Sequence, residues 1–176
     1  MTPIILIVPG LGSSGPEHWQ TLWGQQHPAF ERVEQRDWET PVCSDWVAKL
    51  DETVMQHRPE NVVLVAHSLA CITVAFWAKQ HKRPIKAALL VAPADSEAAG
   101  FPEGTTGFAP IPLEPLPFPS VVVASTNDPY VTEARAMQLA QAWGSDFVSI
   151  GEAGHINTDA GFGAWEEGLA LLKRLC

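Results

Sequence analysis

Ser68, Asp128 and His155 are the side chains of this 176-residue chain whose types and order could carry acyl-transfer chemistry. A serine hydroxyl is a weak nucleophile until a base takes its proton, and the base must itself be oriented by a third group. Each residue stands just past an apolar run: Ser68 after NVVLVA and His67, Asp128 after SVVVASTN, His155 after DFVSIGEAG. On an open parallel sheet, chemistry gathers at the carboxyl ends of the strands, and serine, acid, histidine is a known chain order for it.

Each member also has a plainer reading. Ser68 sits in A-H-S-L-A between a strand-like and a helix-like segment, where a sharp nucleophile turn usually reads G-x-S-x-G. The turn needs small flanking side chains, and Ala66 and Ala70 each add one methyl, tolerable if strand and helix cross slightly wider. Otherwise Ser68 is simply a helix N-cap. Asp128, in N-D-P, could merely start a turn, with Asp95 as the reserve acid. His155 could be an exposed loop histidine. His18, His27, His57 and His81 fall in or beside helical segments and read as solvated or packed. His67 precedes the serine directly, so its side chain should point away from the hydroxyl and serve packing or support.

Acyl transfer also needs donors for the developing oxyanion. One is expected from the backbone N–H of Leu69, at a helix N-terminus whose dipole helps. The other is expected from Leu11, in the loop PGLGSSGPEHW after the first strand, where Gly10, Gly12 and Gly15 permit close backbone approach.

The same loop matches G-x-G-x-x-G, with Asp37 about where a ribose-binding acid would stand, which leaves a dinucleotide site as an alternative. It lacks the lysine of a P-loop. No H-E-x-x-H or other metal-ligand spacing occurs, and neither a metal nor a cofactor is expected. Cys71, about one helical turn past Ser68, is expected to be buried, and Cys43 has no evident histidine beside it, so both make weaker nucleophile candidates.

The elements that must position these residues alternate. Strands are expected over Ile4–Pro9, Arg32–Asp37, Asn61–His67, Ile85–Pro93, Ser120–Thr126 and Asp146–Ile150. Helices are expected over Glu17–His27, Asp45–His57 with Ser44 as cap, Leu69–Gln80, Thr132–Trp143 and Gly163–Leu175. Continuous apolar strands between helices, with no tight hairpin signals, indicate an α/β fold: a mostly parallel sheet of about six strands covered by helices on both faces. Residues 95–119, dense in Pro and Gly, exceed an ordinary connection and read either as a surface loop or as an active-site flap. Trp19, Phe101 and Phe108 could line a pocket for a compact apolar group, or belong to the core.

The length suits one domain over residues 1–176. A net charge of −9 argues against nucleic acid or an anionic membrane as partner and would suit a cationic substrate such as an amino-acid ester. Three scattered cysteines and no signal-like or membrane-length apolar run make the cytoplasm the expected location. The oligomeric state is not legible.

The set PGLGSSGPEHWQTLW, VAHSLA, STNDPYV and GEAGHIN resembles the small serine hydrolases related to retinoblastoma-binding-protein-nine and the bacterial YdeN proteins, over essentially the whole chain. The resemblance implies a minimal α/β-hydrolase fold without a large lid domain, and a triad at Ser68, Asp128 and His155. The L-x-C-x-E pattern of retinoblastoma-protein partners is absent, so that interaction does not carry over. The expected activity is hydrolysis of small carboxylic esters through an acyl-enzyme. An aminopeptidase-like or acyltransferase activity is the alternative among enzymes, and a non-catalytic interaction module on the same fold the alternative outside them.

Overall fold

A computed structural model describes residues 2–176. Its six strands are all parallel, in the order β2-β1-β3-β4-β5-β6. They are β1 (Ile4–Val8), β2 (Phe30–Arg32), β3 (Val62–His67), β4 (Ala87–Val91), β5 (Ser120–Ala124) and β6 (Asp146–Ser149). The helices are α1 (Trp19–Gln26), α2 (Cys43–Val54), α3 (Leu69–His81), α4 (Glu133–Trp143) and α5 (Glu166–Leu175). Among the described residues no separate lid domain interrupts this alternation of strands and helices.

The chain winds from β1 out to β2, then returns to pair β3 on the other side of β1 and steps on through β4, β5 and β6. The winding therefore reverses between β1 and β3, and the loops leaving these two strands part there, opening the crevice where such sheets hold ligands. The register Val8↔Ala66 brings the two strand ends level, so Gly10 and Ser68 emerge side by side.

Alternate residues of each strand serve opposite faces. Ile5, Val63, Val65, Leu89 and Val91 pack with Trp19 and Trp23 of α1 and Leu169 and Leu172 of α5. Leu6, Val8, Leu64, Leu90 and Val122 pack with Trp46 of α2, Trp77 of α3 and Trp143 of α4. β3 and β4 are buried along their whole length, which is why they read as unbroken apolar runs.

Most expected elements are present within a few residues. The edge strand is the exception: it runs over Phe30–Arg32 rather than Arg32–Asp37, because only Ile5–Ile7 of β1 offer it partners. α2 begins at Cys43, after Val42 bridges to Thr106, so the expected cap Ser44 lies inside the first turn.

Residues 95–119 form a strap rather than a flap. Phe108, Ile111 and Phe118 are buried in the core under α2, α3 and α4. The strap is fastened by Thr106 N–H to Pro41 O, Ser96 Oγ to Phe108 O, and Trp143 Nε1 to Pro112 O. Among the described residues no helix is long and apolar enough to cross a membrane.

Candidate active site

Ser68 is the single residue between the end of β3 and the start of α3, and its backbone is strained at φ 59° and ψ −124°. A non-glycine residue there costs on the order of 1–3 kcal/mol and persists only where the surroundings fix it. Here Ser68 N–H donates to Val91 O at 2.9 Å, and Ser68 O accepts from Cys71 N–H at 3.0 Å. The side chain makes no capping hydrogen bond, which removes the N-cap reading. Ala66 and Ala70 are fully buried without disturbing the turn. The tight contact falls on Gly10 instead, where a Cβ would come within 2.8 Å of His67 O and 3.1 Å of Ser68 Cβ.

Ser68 Oγ lies 2.8 Å from His155 Nε2. His155 Nδ1 lies 2.9 Å from each Asp128 carboxylate oxygen. A carboxylate only accepts, so Nδ1 carries the proton and the Nε2 lone pair faces the serine hydroxyl. The Asp128 side chain is wholly buried and that of His155 is 8 % exposed, so water competes little for either bond. The structure thus brings the three sequence-predicted side chains together. Asp95, the reserve acid, instead pairs with Arg135 at 3.5 Å.

The loops that hold acid and base are tied to each other. Asn127 Oδ1 accepts from Gly154 N–H at 2.7 Å and from Ser125 Oγ at 2.8 Å, while Ser125 Oγ accepts from Ala153 N–H at 3.0 Å. Asp128 Oδ1 also accepts from Tyr130 N–H, and the Tyr130 ring stands edge-on to His155 at 4.6 Å. His67, expected to support rather than react, bonds through Nε2 to His155 O at 2.9 Å. Burial above all, then His155 and His18, hold its pKa well below the ordinary histidine value, so this ring is a neutral donor.

The loop after β1 is held by buried polar side chains. Gln20 is fully buried and donates to Val8 O and Val65 O, bridging the strands on either side of the switch point, while its Oε1 accepts from Ser14 Oγ at 2.6 Å. Arg32 donates to Ser13 Oγ at 2.6 Å. Gly12 and Ser13 give their N–H groups to Trp38 O and Gly10 O, whereas the N–H groups of Leu11 and Leu69 take no backbone acceptor among the described residues. Both leucines line a cleft of about 180 Å³ that also contains Ser68 and His155.

Of the aromatic residues expected at a pocket, only Phe101 lines this cleft. Trp19 is fully buried behind it, its Nε1 donating to Ile156 O and its ring packed against Trp23 and Trp165. Phe108 is 3 % exposed and packs edge-on against Trp46. His18, Tyr130 and Asn157 line the cleft although sequence reasoning passed over them. His18 directly follows the glycine loop, and Tyr130 and Asn157 lie two residues beyond the acid and the base; that adjacency was the available signal.

Other chemistries find no geometry. Asp37 spends its carboxylate on Thr40 N–H and Oγ1 and on Glu39 N–H within its own turn, and α1 starts only at Trp19, so the glycine loop does not open a helix as a dinucleotide site requires. Cys71 is buried under the elbow, Sγ facing Ala66 O and Val91 O, with its thiol pKa pushed up by burial. Burial likewise raises the Cys43 thiol to about 12. Neither is a thiolate at neutral pH.

A parallel sheet with a strained serine at the end of a central strand, facing a histidine from the last strand's loop, defines the α/β-hydrolase class. The chain belongs to the serine hydrolase family, whose profile matches residues 5–174. It is similar to a YdeN-like hydrolase of Pectobacterium atrosepticum, with 35 % identity over 99 % of this chain and 90 % of that one and a TM-score of 0.86. The ydeN gene product of Bacillus subtilis shares the fold at 21 % identity, covering 99 % and 98 % of the two chains, with a TM-score of 0.80. So does esterase 2 of Thermogutta terrifontis, at 18 % identity, 97 % and 81 % coverage and a TM-score of 0.70. No curated protein matches the chain.

Proposed function

We propose that this serine hydrolase cleaves small carboxylic esters through an acyl-enzyme formed on Ser68. The observation that carries the reading is the hydrogen-bonded series Ser68 Oγ, His155 Nε2, His155 Nδ1 and Asp128, at 2.8 Å and 2.9 Å. Ser68 Oγ attacks the ester carbonyl as His155 Nε2 takes its proton. Asp128 orients the imidazole and stabilises the imidazolium. The N–H groups of Leu11 and Leu69 receive the oxyanion, a pair of donors of which each is worth about 3 kcal/mol in the transition state. Collapse of the tetrahedral adduct expels the alcohol, which takes the proton from His155. Water then repeats the sequence on the acyl-serine and regenerates the free hydroxyl.

The narrow cleft supports compact substrates, smaller than those of ordinary drug-sized sites. A serine poised against a base, with two unspent backbone donors beside it, favours turnover over a purely interacting module. We place the reaction in the cytoplasm and in one domain spanning residues 1–176, with a small ester as partner rather than nucleic acid or membrane.

The test is labelling with a fluorophosphonate, read by intact mass. One adduct is expected on the wild type and none on Ser68→Ala, with labelling of His155→Ala slowed at least about a thousand-fold. Hydrolysis of short-chain aryl esters should fall in parallel. A wild type that resists the probe while a control hydrolase reacts would overturn the reading.

A further inference from the structure

The cleft wall built by the loop after β1 contains a buried hydrogen-bond donor with no partner. His18 is 6 % exposed, lines the cleft, and stacks edge-on to the His67 ring at 4.8 Å. Its Nδ1 accepts from Gln20 N–H at 3.2 Å and so caps α1. Its Nε2 is buried with no hydrogen-bond partner among the described residues. The other such atom, His81 Nε2, belongs to the opposite end of α3 from Ser68.

The ring's protonation follows from these contacts. A nitrogen that accepts from a backbone N–H cannot hold a proton, so a neutral His18 carries its proton on Nε2 and presents N–H there. Burial first, then the neighbouring His155 and Arg32, lowers its pKa to about 4, so the ring is neutral at neutral pH. His18 is thus a fixed neutral donor that neither exchanges protons with the reaction nor adds charge to it. A buried donor without an acceptor is costly and rare in native structures, and one belonging to a residue of the cleft wall is accounted for when a substrate brings the acceptor and the wall shifts to admit it.

A second group on the cleft wall shares this character. Asn157 lines the cleft and spends Oδ1 on Ala160 N–H at 3.1 Å, leaving its amide N–H groups as donors. Trp19 Nε1 fastens Ile156 O, next to Asn157, to the helix that His18 caps. No Asp, Glu, Lys or Arg is among the residues lining the cleft. It therefore offers no direct carboxylate partner to an ammonium group and no direct cation partner to a carboxylate.

Resting on the hydrolase reading above, we propose that His18 is a specificity-determining residue whose Nε2–H hydrogen-bonds an uncharged oxygen of the substrate outside the scissile ester. The preferred substrates are then small neutral esters bearing an ether, hydroxyl or carbonyl oxygen, rather than plain alkyl esters or amino-acid esters.

The experiment compares matched esters on the wild type and on His18→Asn, whose shorter side chain still caps the helix but cannot reach as far. One pair of aryl esters has pentanoate or 3-methoxypropanoate as acyl group; a second pair has n-butyl or 2-methoxyethyl as alcohol. Differences in intrinsic reactivity cancel when the ratio of kcat/KM within a pair is compared between proteins. The methoxy-over-alkyl ratio is expected to fall about five- to ten-fold in at least one pair, the effect of one lost hydrogen bond. His18→Phe, which keeps a ring without the donor, should lower the same ratio and serves if the Asn variant does not fold. Ratios unchanged in both pairs, or all four esters slowed by one common factor, would overturn the proposal and leave His18 a helix cap alone. Fluorophosphonate labelling of the same proteins separates the two readings. A wild type that labels but shows no His18-dependent ratio sinks only this inference, and one that does not label sinks the hydrolase reading and this one with it.

Discussion

Two long connections leave β1 and β4, the strands on either side of β3, and they are built in opposite ways. The loop from Pro9 to His18 is held by polar groups: Gln20, Arg32 and Ser14 supply the bonds, and Gly12 and Ser13 sit at φ 72° and 66°. The strap over residues 95–119, whose Pro and Gly content left a surface loop and an active-site flap both open, is held by burial of Phe108, Ile111 and Phe118. The polar loop is shaped for a reacting group; the strap mainly closes the core and lends the cleft Phe101 and Pro102. Proximity to a site and density of turn residues therefore say little about gating, and what a loop buries says much.

The comparison is sharpest where it separates stability from activity. Phe108→Ala removes a fully packed ring and should lower unfolding free energy by about 3–5 kcal/mol. Fluorophosphonate labelling of the remaining folded protein should stay within about three-fold of wild type. Urea unfolding and labelling on one preparation check both, and a labelling rate that collapses with stability would make the strap part of the catalytic apparatus after all.

Acid should attack the polar loop and spare the strap. His18 has an unfolded pKa near the ordinary histidine value of 6.5 and a folded one of about 4. Above 6.5 both states are neutral and the group contributes nothing. As pH falls below 6.5 the unfolded chain takes the proton first, so stability declines, by on the order of 3 kcal/mol once pH is below 4. His67, shifted the same way, adds to the slope. Urea midpoints at pH 7.5, 5.5 and 4.5 should fall less steeply in His18→Asn than in wild type, whereas Phe108→Ala should shift all three alike. Parallel slopes in wild type and His18→Asn would mean that His18 is protonated in the folded state.

A methyl group makes the third contrast. In Gly10→Ala the new Cβ meets His67 O, Ser68 Cβ and Leu69 N at 2.8–3.3 Å, so the elbow and one oxyanion donor must move. A misplacement of about 1 Å costs about a hundred-fold in reactions that depend on alignment, and labelling of Ser68 should slow by about ten- to a hundred-fold. Gly100→Ala, in the strap, meets nothing within 4 Å and should label at the wild-type rate.

How much of this was readable follows from how local each cause is. β3 and β4 announced themselves because burial on both faces demands an unbroken apolar run. The order of Ser68, Asp128 and His155 was legible because strand ends fix where loops emerge. Their meeting was not, since it depends on Asn127 and Ser125 reaching across to residues 153–154. β2 was misplaced because a strand of mixed charge, paired on one side only, carries no period of its own. Trp19 and Phe108 could not be told from pocket residues, because the partners that bury them, Trp165 and Trp46, lie far away in sequence. His18 read as an ordinary helix-end histidine; only the fold shows one nitrogen spent on the cap and the other left over.

Two arginines give the smallest contrast. Arg32 donates from Nη2 to Ser13 Oγ and Ser14 O, pairs through Nε with Glu34 at 3.1 Å, and lies over the Trp38 ring, whose backbone carbonyl holds Gly12 N–H. Its planar fork fixes Ser13 in the left-handed conformation two residues after the Leu11 donor. Arg135 pairs with Asp95 and Glu97 at the start of the strap. Both arginines make several bonds, so counting contacts would rank them together. Only Arg32 holds a segment whose backbone must aim a donor, and Arg32→Ala should slow Ser68 labelling several-fold, about the worth of one hydrogen bond. Arg32→Lys, with one point donor in place of a fork, should recover only part of that loss. Arg135→Ala should leave labelling unchanged and cost no more than about 1 kcal/mol of stability, as partly exposed ion pairs usually do. Equal losses from Arg32→Ala and Arg135→Ala would mean that strap and polar loop act on the serine as one unit.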